Sequence, residues 1–198
     1  MTKRFHRRSI RLKGYDYTLA GAYYVTVCTE GRLHQFGEVK DDEMVVNAFG
    51  AVVQRCWDAI PEHMPMAVLD EFIVMPNHVH GILVITDRQA VSPPVGAGNF
   101  PPLPGVKPET TEPQPDEPDY PKKRPIAIMV KNSLGHIMQT FKAAVSRQVY
   151  KDGLLPRGTP VWQRNYYEHI IRNDAEWMRI ADYIRDNPTN WKGDRFNR

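Results

Sequence analysis

The chain has 198 residues, of which 25% are charged, and its formal net charge is only +3. A chain of this length can bury the core of one sizeable domain without a disulfide or a structural metal. No apolar run approaches the roughly 20 residues of a membrane span, and the basic N-terminus lacks the apolar stretch of a signal peptide. We therefore expect a cytoplasmic protein that does not enter a membrane, with Cys28 and Cys56 as reduced core side chains.

Positive charge is concentrated in two stretches. Residues 1–13 contain no acid and six cations: Lys3, Arg4, Arg7, Arg8, Arg11 and Lys13. Such an arm can lie along phosphates, or it can be a solvated terminus, and the sequence leaves both readings open. The second stretch carries Lys142 and Arg147 on a predicted helix, where surface cations are ordinary unless a DNA-processing site lies nearby.

The first half of the chain predicts a strand, a helix and a hairpin, in that order. Residues 23–29 are rich in β-branched and aromatic types, as strands are. Residues 46–60 place apolar side chains at helical spacing. Residues 71–75 and 79–85 are strand-like runs joined at Pro76-Asn77, which predicts a tight antiparallel turn.

Residues 88–125 differ from the rest because 11 of the 17 prolines fall there, with almost no periodic apolar pattern. This composition is typical of an extended, disordered insertion. Neither flanking block forms a convincing domain alone. We therefore predict one domain spanning residues 1–198, interrupted by this insertion.

The second half predicts a long amphipathic helix over residues 134–149 that ends at Gly153. An extended stretch over residues 161–171 and a helix over residues 174–187 follow, the latter capped by Asn173 and ended by Pro188. The first six predicted elements match a β-α-β-β-α-β order. The predicted fold class is therefore α+β, with a ferredoxin-like antiparallel sheet covered by helices.

Two histidines begin the second strand of the predicted hairpin. His78 and His80 flank Val79, so both imidazoles project from the same face of the strand and can share one metal ion. His-x-His pairs also occur as hydrogen-bonded surface histidines. The apolar run that follows (GILVI) favours a specific role for the pair.

The last predicted helix presents a phenol and an amide together. At about 100° per residue, its apolar residues form one face, while Tyr183 and Asn187 lie one turn apart on the flank. From this segment alone, a tyrosine at the core edge and a helix-terminal asparagine before proline are the favoured explanation of the pattern.

Several separated motifs together resemble one family. MPNHVHGILVI, LGHIMQTFKAAVSRQV, VWQRNYYEHIIRN and DYIRDNPTNW, in this order, resemble REP-associated tyrosine transposases, relatives of the single-tyrosine HUH transposases. RRSIRLKGYDY and YYVTVCTEGR are similar to the opening of that family. The resemblance implies a ferredoxin-like fold, a divalent metal on two histidines, and a tyrosine that becomes joined to a DNA 5′ phosphate.

By this resemblance, His78 and His80 are metal ligands and Tyr183 is the nucleophile. Asn187 stands where many relatives have glutamine, so its ligation is either direct or through water. His169 also matches a family position, where it supports the metal, orients a phosphate or packs. Tyr166 and Tyr167 are competing nucleophiles, but they lie in an extended stretch without an amide one turn on.

The expected partner is single-stranded or hairpin-forming DNA, bound by a monomer or a homodimer. The expected cofactor is Mg²⁺ or Mn²⁺, the ions usual in phosphoryl chemistry, although imidazole accepts many metals. Two other functions remain open: a catalytically inactive binder of structured DNA, and a metal-dependent hydrolase that uses water. The hydrolase would have no use for a covalent tyrosine.

Overall fold

The computed structural model of the protein describes residues 16–86 and 130–197. The six cations between Lys3 and Lys13 and the whole insertion at residues 88–125 lie outside the described residues. The predictions for both segments therefore stay predictions.

Six strands and four helices form the described part of the chain. The strands are β1 (Gly21–Cys28), β2 (Gly37–Lys40), β3 (Glu43–Val46), β4 (Ala67–Met75), β5 (His78–Ile85) and β6 (Tyr167–Ile171). The helices are α1 (Ala48–Asp58), α2 (Ile60–His63), α3 (Leu134–Lys151) and α4 (Asp174–Arg185). Two short 3-10 turns, Glu30–Arg32 and Trp191–Gly193, complete the elements.

The main sheet has four strands in the order β4-β5-β1-β6, and every neighbouring pair is antiparallel. The first and third of these strands along the chain, β1 and β5, lie side by side at its centre. With α1 and α3 as the crossovers, this is the split β-α-β-β-α-β arrangement of a ferredoxin-like domain. The predicted fold class is confirmed.

The two faces of the sheet have different neighbours because side chains alternate along each strand. On one face, Tyr23, Val25 and Val27 of β1 belong to the main core with residues of α1 and α3. On the other face, Ala22 and Tyr24 join Ile82 of β5 and a buried stripe of α4 in a smaller core. The candidate site residues lie on this second face.

The predicted hairpin is confirmed: β4 and β5 pair antiparallel, from Met75 with His78 to Ala67 with Ile85. A turn at Pro76-Asn77 joins them. Strand β4 begins four residues before the predicted start, and its register shifts between Leu69 and Phe72.

The helix predicted over residues 46–60 is shorter than expected. Val46 ends strand β3, and the side chain of Asn47 caps α1 by accepting from the backbone N–H groups of Phe49 and Gly50. The helix ends at Asp58, and α2 follows as a separate turn with Pro61 in its first positions. The sequence analysis also missed the β2–β3 hairpin that precedes α1.

The second half follows the predicted order with shorter elements. Helix α3 is capped by the Ser133 side chain, and Gly153 follows its end at φ +69°, the left-handed conformation that glycine adopts without strain. Of the extended stretch at residues 161–171, only β6 pairs with the sheet, apart from a bridge between Thr29 and Trp162.

Helix α4 begins as predicted, with the Asn173 side chain accepting from Glu176 N at 2.9 Å. It ends at Arg185 rather than at residue 187. The residue before a proline avoids the helical region, so Pro188 stops the helix before Asn187.

None of the helices in the described ranges has the length and apolar content needed to cross a membrane. Cys28 and Cys56 are both free and partly buried, and burial raises the pKa of each thiol.

Candidate active site

The two histidines of β5 converge on each other. His78 and His80 are both 0% exposed, and their Nε2 atoms are 3.0 Å apart with the rings at 71°. Burial, together with the charges of Arg32 and Arg195, lowers the pKa of His78 to about 3. Burial and the neighbouring His78 also lower the pKa of His80. Both imidazoles are therefore neutral at neutral pH.

The tautomer of His78 follows from its neighbour Asn77. The Asn77 amide nitrogen donates to the backbone oxygens of Arg32 and Phe196, at 3.2 and 2.7 Å, which fixes the orientation of the amide. Its Oδ1 atom then faces Nδ1 of His78 at 2.8 Å and can only accept, so Nδ1 of His78 carries the proton. The Nε2 atom of neutral His78 therefore carries a lone pair rather than a proton, as a metal ligand requires, and it can accept from Nε2 of His80 at 3.0 Å.

His80 is held by two hydroxyl groups of β1. Its Nδ1 atom lies 2.7 Å from the Tyr24 hydroxyl and 2.9 Å from the Thr26 hydroxyl. A hydroxyl can donate or accept, so this pair supports either tautomer of His80. When Nδ1 is protonated, Nε2 of His80 presents a second lone pair towards His78.

Tyr183 lies on the exposed flank of α4 above His80. Its side chain is 42% exposed, and its ring centroid is 5.4 Å from that of His80 and 6.4 Å from that of Tyr24. Burial of the inner part of the side chain and the nearby Asp194 carboxylate raise the pKa of the phenol. Hydrogen bonds with Asn187 and Tyr24 and the charge of Arg195 lower it, but the net pKa is raised. The phenol is protonated at neutral pH.

Asn187 is 1% exposed and lies just beyond α4, with its backbone N–H donating to Ile184 O at 3.3 Å. Its Oδ1 atom is buried without a hydrogen-bond partner among the described residues. An unsatisfied buried acceptor costs roughly 1–3 kcal/mol, so it is an atom that a ligand or an ion would satisfy.

These side chains fit a divalent metal ion. Two imidazole nitrogens bound to one ion at about 2.1 Å, and at about a right angle, would be about 3.0 Å apart. The Nε2 atoms have this separation, and the Asn187 amide offers an unsatisfied oxygen. Within residues 16–86 and 130–197, no group of three or more His, Cys, Asp and Glu side chains is arranged to hold a metal.

The C-terminal segment covers the histidines. The centre of the Phe196 ring is 4.5 Å from the centre of the His78 ring, and the centre of the Trp191 ring is 6.0 Å from it. The guanidinium groups of Arg32 and Arg195 lie 5.1 and 4.8 Å from the centre of the Phe196 ring. The sequence analysis missed this segment because no motif links residues so far apart in the chain.

His169 does not join the histidine pair. Its Nε2 atom bonds to Glu176 Oε1 at 2.7 Å, which ties β6 to the first turn of α4. Of the three roles considered for His169, this contact favours a structural one.

The two competing tyrosines separate onto opposite faces of the sheet. Tyr166 packs against the main core, away from the histidines. Tyr167 is 44% exposed, and its ring is 6.2 Å from that of Tyr24, on the same face as Tyr183. Tyr167 is therefore the competitor that an experiment must address.

The two cations predicted on α3, Lys142 and Arg147, have different surroundings. Lys142 Nζ donates to the backbone oxygens of Gln163 and Arg164, at 2.6 and 3.2 Å, so it fastens the stretch before β6 to α3. Burial lowers the pKa of Lys142 to about 8. Arg147 is exposed. DNA binding by either residue stays a prediction.

No family model matches the chain. The solved structure of the REP-associated tyrosine transposase bound to a REP hairpin is similar, with a TM-score of 0.54 and 15% identity. The match covers 91% of this chain and 74% of that one. The chain thus has the fold of a REP-associated tyrosine transposase, as its sequence resemblance predicted.

A closer similarity is found in sequence. The chain is 36% identical over 191 residues to an uncharacterized protein of Haemophilus influenzae, across 96% of this chain and 93% of that protein. The chain belongs to the same family as this Haemophilus influenzae protein.

Proposed function

We propose that the protein is a metal-dependent transposase that cuts and rejoins single-stranded DNA through a covalent bond to Tyr183. The observation that carries the proposal is the convergence of the His78 and His80 Nε2 atoms, 3.0 Å apart, beneath the exposed phenol of Tyr183. The fold shared with a transposase bound to a REP hairpin supports hairpin-forming DNA as the substrate.

In this function His78, His80 and the Asn187 oxygen would hold Mg²⁺ or Mn²⁺. An ion bound there would supply Lewis-acid chemistry, by neutralising negative charge on the phosphate. Asn77 keeps the Nε2 lone pair of His78 free, and the Tyr24 and Thr26 hydroxyls orient His80. Imidazole ligands oriented in this way lose less freedom when they bind an ion.

Tyr183 supplies the nucleophile. Its oxygen forms a bond to phosphorus and the bond from phosphorus to the 3′ oxygen breaks. The phenol loses one proton, and the released 3′ oxygen gains one to become a 3′-hydroxyl. The DNA 5′ end is then joined to Tyr183 as a phosphotyrosine. A 3′-hydroxyl of another strand can reverse the step and rejoin DNA, so no nucleotide hydrolysis is required.

A labelled hairpin oligonucleotide with an unpaired flank tests this proposal. With Mn²⁺ or Mg²⁺, the wild-type protein should give an adduct that survives denaturing electrophoresis. Tyr183→Phe should reduce the adduct by at least about a thousandfold because only the attacking oxygen is lost. Tyr167→Phe is the matched control and should keep the adduct, since it removes a hydroxyl from an equally exposed ring.

Each other outcome identifies a different function. Loss of the adduct in Tyr167→Phe alone would transfer the nucleophile to Tyr167. Cutting without any adduct would make the protein a hydrolase that uses water. Hairpin binding without cutting would make it a catalytically inactive binder of structured DNA.

A further inference from the structure

Two arginines near the histidine pair both place their guanidinium groups against the same aromatic ring. Arg32 follows β1 and Arg195 lies near the C-terminus, yet their guanidinium groups are 5.1 and 4.8 Å from the centre of the Phe196 ring. Arg32 Nη1 also donates to the backbone oxygen of Arg195 at 3.2 Å. The two side chains therefore form one local unit, which we call the arginine pair.

The backbone beneath the arginine pair is held in place from the active site. Asn77 donates both to Arg32 O and to Phe196 O, so one buried amide joins the two segments. Arg32 has φ +58°, a left-handed conformation that is uncommon for a residue with a side chain. Such strain persists only where surrounding contacts fix it, and it is frequent at functional positions.

Within the described residues, neither guanidinium forms an ion pair with a carboxylate. The carboxylate next in sequence, Asp194, accepts instead from the backbone N–H of Phe196 at 2.7 Å. Both arginines are exposed, so their remaining N–H groups are available to an anion from solvent.

The charge of the arginine pair reaches the candidate active site. Burial is the main cause of the lowered pKa of His78, and both arginines lower it further. The charge of Arg195 also acts on His80 and on Tyr183. The Phe196 ring that both guanidinium groups contact is 4.5 Å from the His78 ring, so an anion bound by the pair would lie close to the candidate metal ligands.

We propose that Arg32 and Arg195 form an anion site for a backbone phosphate of single-stranded DNA, next to the phosphate that Tyr183 attacks. Guanidinium groups match phosphate in shape and keep their charge at every physiological pH. The ligand identity rests on the proposed function. The existence of the anion site rests only on the geometry of the pair.

The test uses the full chain with Tyr183→Phe, so that binding is measured without covalent capture. The probe is a fluorescein-labelled hairpin oligonucleotide with an unpaired 5′ flank, followed by anisotropy at several salt concentrations. Arg32→Gln/Arg195→Gln should flatten the slope of log affinity against log salt by about 0.7, because each phosphate of a single strand that the protein neutralises contributes about 0.7. At about 100 mM salt the affinity should fall at least about tenfold.

Two control variants make the test specific. Arg55→Gln removes the same charge from an exposed residue of α1, on the opposite face of the sheet, and should leave the slope unchanged. Arg32→Lys/Arg195→Lys keeps the charge without the guanidinium shape and should restore the slope. Melting curves for all variants should agree within a few degrees, because both arginines are exposed.

A slope for the double Gln variant equal to that of Arg55→Gln would overturn the anion site, even if the wild-type protein forms the Tyr183 adduct. A protein that forms no adduct but loses salt dependence in the double Gln variant would keep the anion site and refute the proposed chemistry. The two proposals therefore fail separately.

Discussion

The side chain of Asn77 makes three hydrogen bonds, one to the neighbouring His78 and two to distant parts of the chain. Its Oδ1 atom accepts from His78, and its amide nitrogen donates to Arg32 O and Phe196 O. This one residue thus sets the tautomer of a candidate metal ligand, holds a strained residue and attaches the C-terminal segment. In the sequence it is recognisable only as part of a turn.

Asn77→Ala should lower the free energy of unfolding by about 3 kcal/mol, since two buried hydrogen bonds and one partly buried hydrogen bond are lost, at about 1 kcal/mol each. The affinity for Mn²⁺ should also fall about 10- to 100-fold, as usual when a residue that orients a ligand is removed. Urea denaturation and calorimetric titration measure the two effects.

Asn190→Ala is the control for Asn77→Ala. Its amide donates once, to Asp186 O at 2.9 Å, at an exposed position. The free energy of unfolding of Asn190→Ala should fall by less than about 1 kcal/mol. Equal stabilities for the two variants would show that the Asn77 contacts do not hold these segments together.

The sequence predicted the residues of the site that belong to local motifs. His78 and His80 alternate with Val79 on a strand, and the resemblance included Tyr183. Tyr24, Asn77, Arg195 and Phe196 were missed because their roles depend on strand pairing and on a segment that returns from the C-terminus. No spacing in the sequence encodes these contacts.

At the scale of elements, α4 is fastened at both ends, which fixes the position of Tyr183. At its first turn, Glu176 accepts from His169 at 2.7 Å and from Arg172 N at 2.9 Å. At its last turn, Arg185 bonds to Asp182 within the helix and to Glu71 of β4 at 2.5 Å. The helix is therefore attached to both edge strands of the sheet.

The Glu176 contacts predict a pH dependence of stability. Partial burial raises the pKa of this carboxyl, but the hydrogen bonds from Arg172 and His169 outweigh it and the net pKa is lowered. A folded-state pKa below the unfolded value means stabilisation that is present above pH 4.5 and is lost as the pH falls through the folded-state value.

Wild type should therefore exceed Glu176→Gln in unfolding free energy by about 1 kcal/mol near pH 7, and the difference should shrink steadily below pH 5. Urea titrations at several pH values measure it. Glu43→Gln, at an exposed position of β3, is the control for the loss of one charge. A difference that grows as the pH falls below 5 would contradict the assigned direction.

The β2–β3 hairpin was missed because its turn lacks glycine. Asp41 and Asp42 both adopt positive φ, +49° and +61°, the conformation for which Asn-Gly is the familiar signal. Aspartate can adopt this conformation, but aspartate in a sequence does not by itself indicate such a turn. Without the hairpin, the sequence analysis extended the following helix backwards to Val46, which the structure assigns to β3.

A glycine in α1 shows how tightly this hairpin region packs. A Cβ atom on Gly50 would come within 2.2 Å of the backbone oxygen of Phe36, which cannot move freely. Glycine to alanine inside a helix usually stabilises by about 0.5–1 kcal/mol, but here the clash should dominate. Gly50→Ala should lower the melting temperature, by an amount corresponding to about 2 kcal/mol or more.

Gly193→Ala is the comparison, because nothing lies within 4 Å of its Cβ position. That variant should melt within a degree or two of wild type. A stabilised Gly50→Ala variant would show that the approach of Phe36 to α1 is looser than described.

At the scale of the whole molecule, both described blocks contribute to one sheet. Residues 16–86 supply three of its strands, and residues 130–197 supply β6, which pairs with β1. The main core likewise combines α1 with α3. The sequence predicted one domain from two incomplete blocks, and this shared sheet explains why neither block was convincing alone.

The segment at residues 88–125 is the part of the chain whose removal tests that architecture. All strands of the four-stranded sheet and all helices in the described ranges, residues 16–86 and 130–197, lie outside this segment. Replacing residues 90–122 by a Gly/Ser linker of about twelve residues shortens the connection from β5 to α3 by about half. Closing a loop of half the length costs about 0.6 kcal/mol less.

We therefore expect this variant to melt within about 4 °C of wild type, and slightly higher if the linker spans the gap without strain. Its far-ultraviolet circular dichroism should keep the helical signal of α1, α3 and α4. Matching variants with about six and about twenty linker residues distinguish strain from lost contacts, because only strain is relieved by a longer linker. A cooperative transition lost at every linker length would show that residues 90–122 belong to the core, and the single interrupted domain would have to be abandoned.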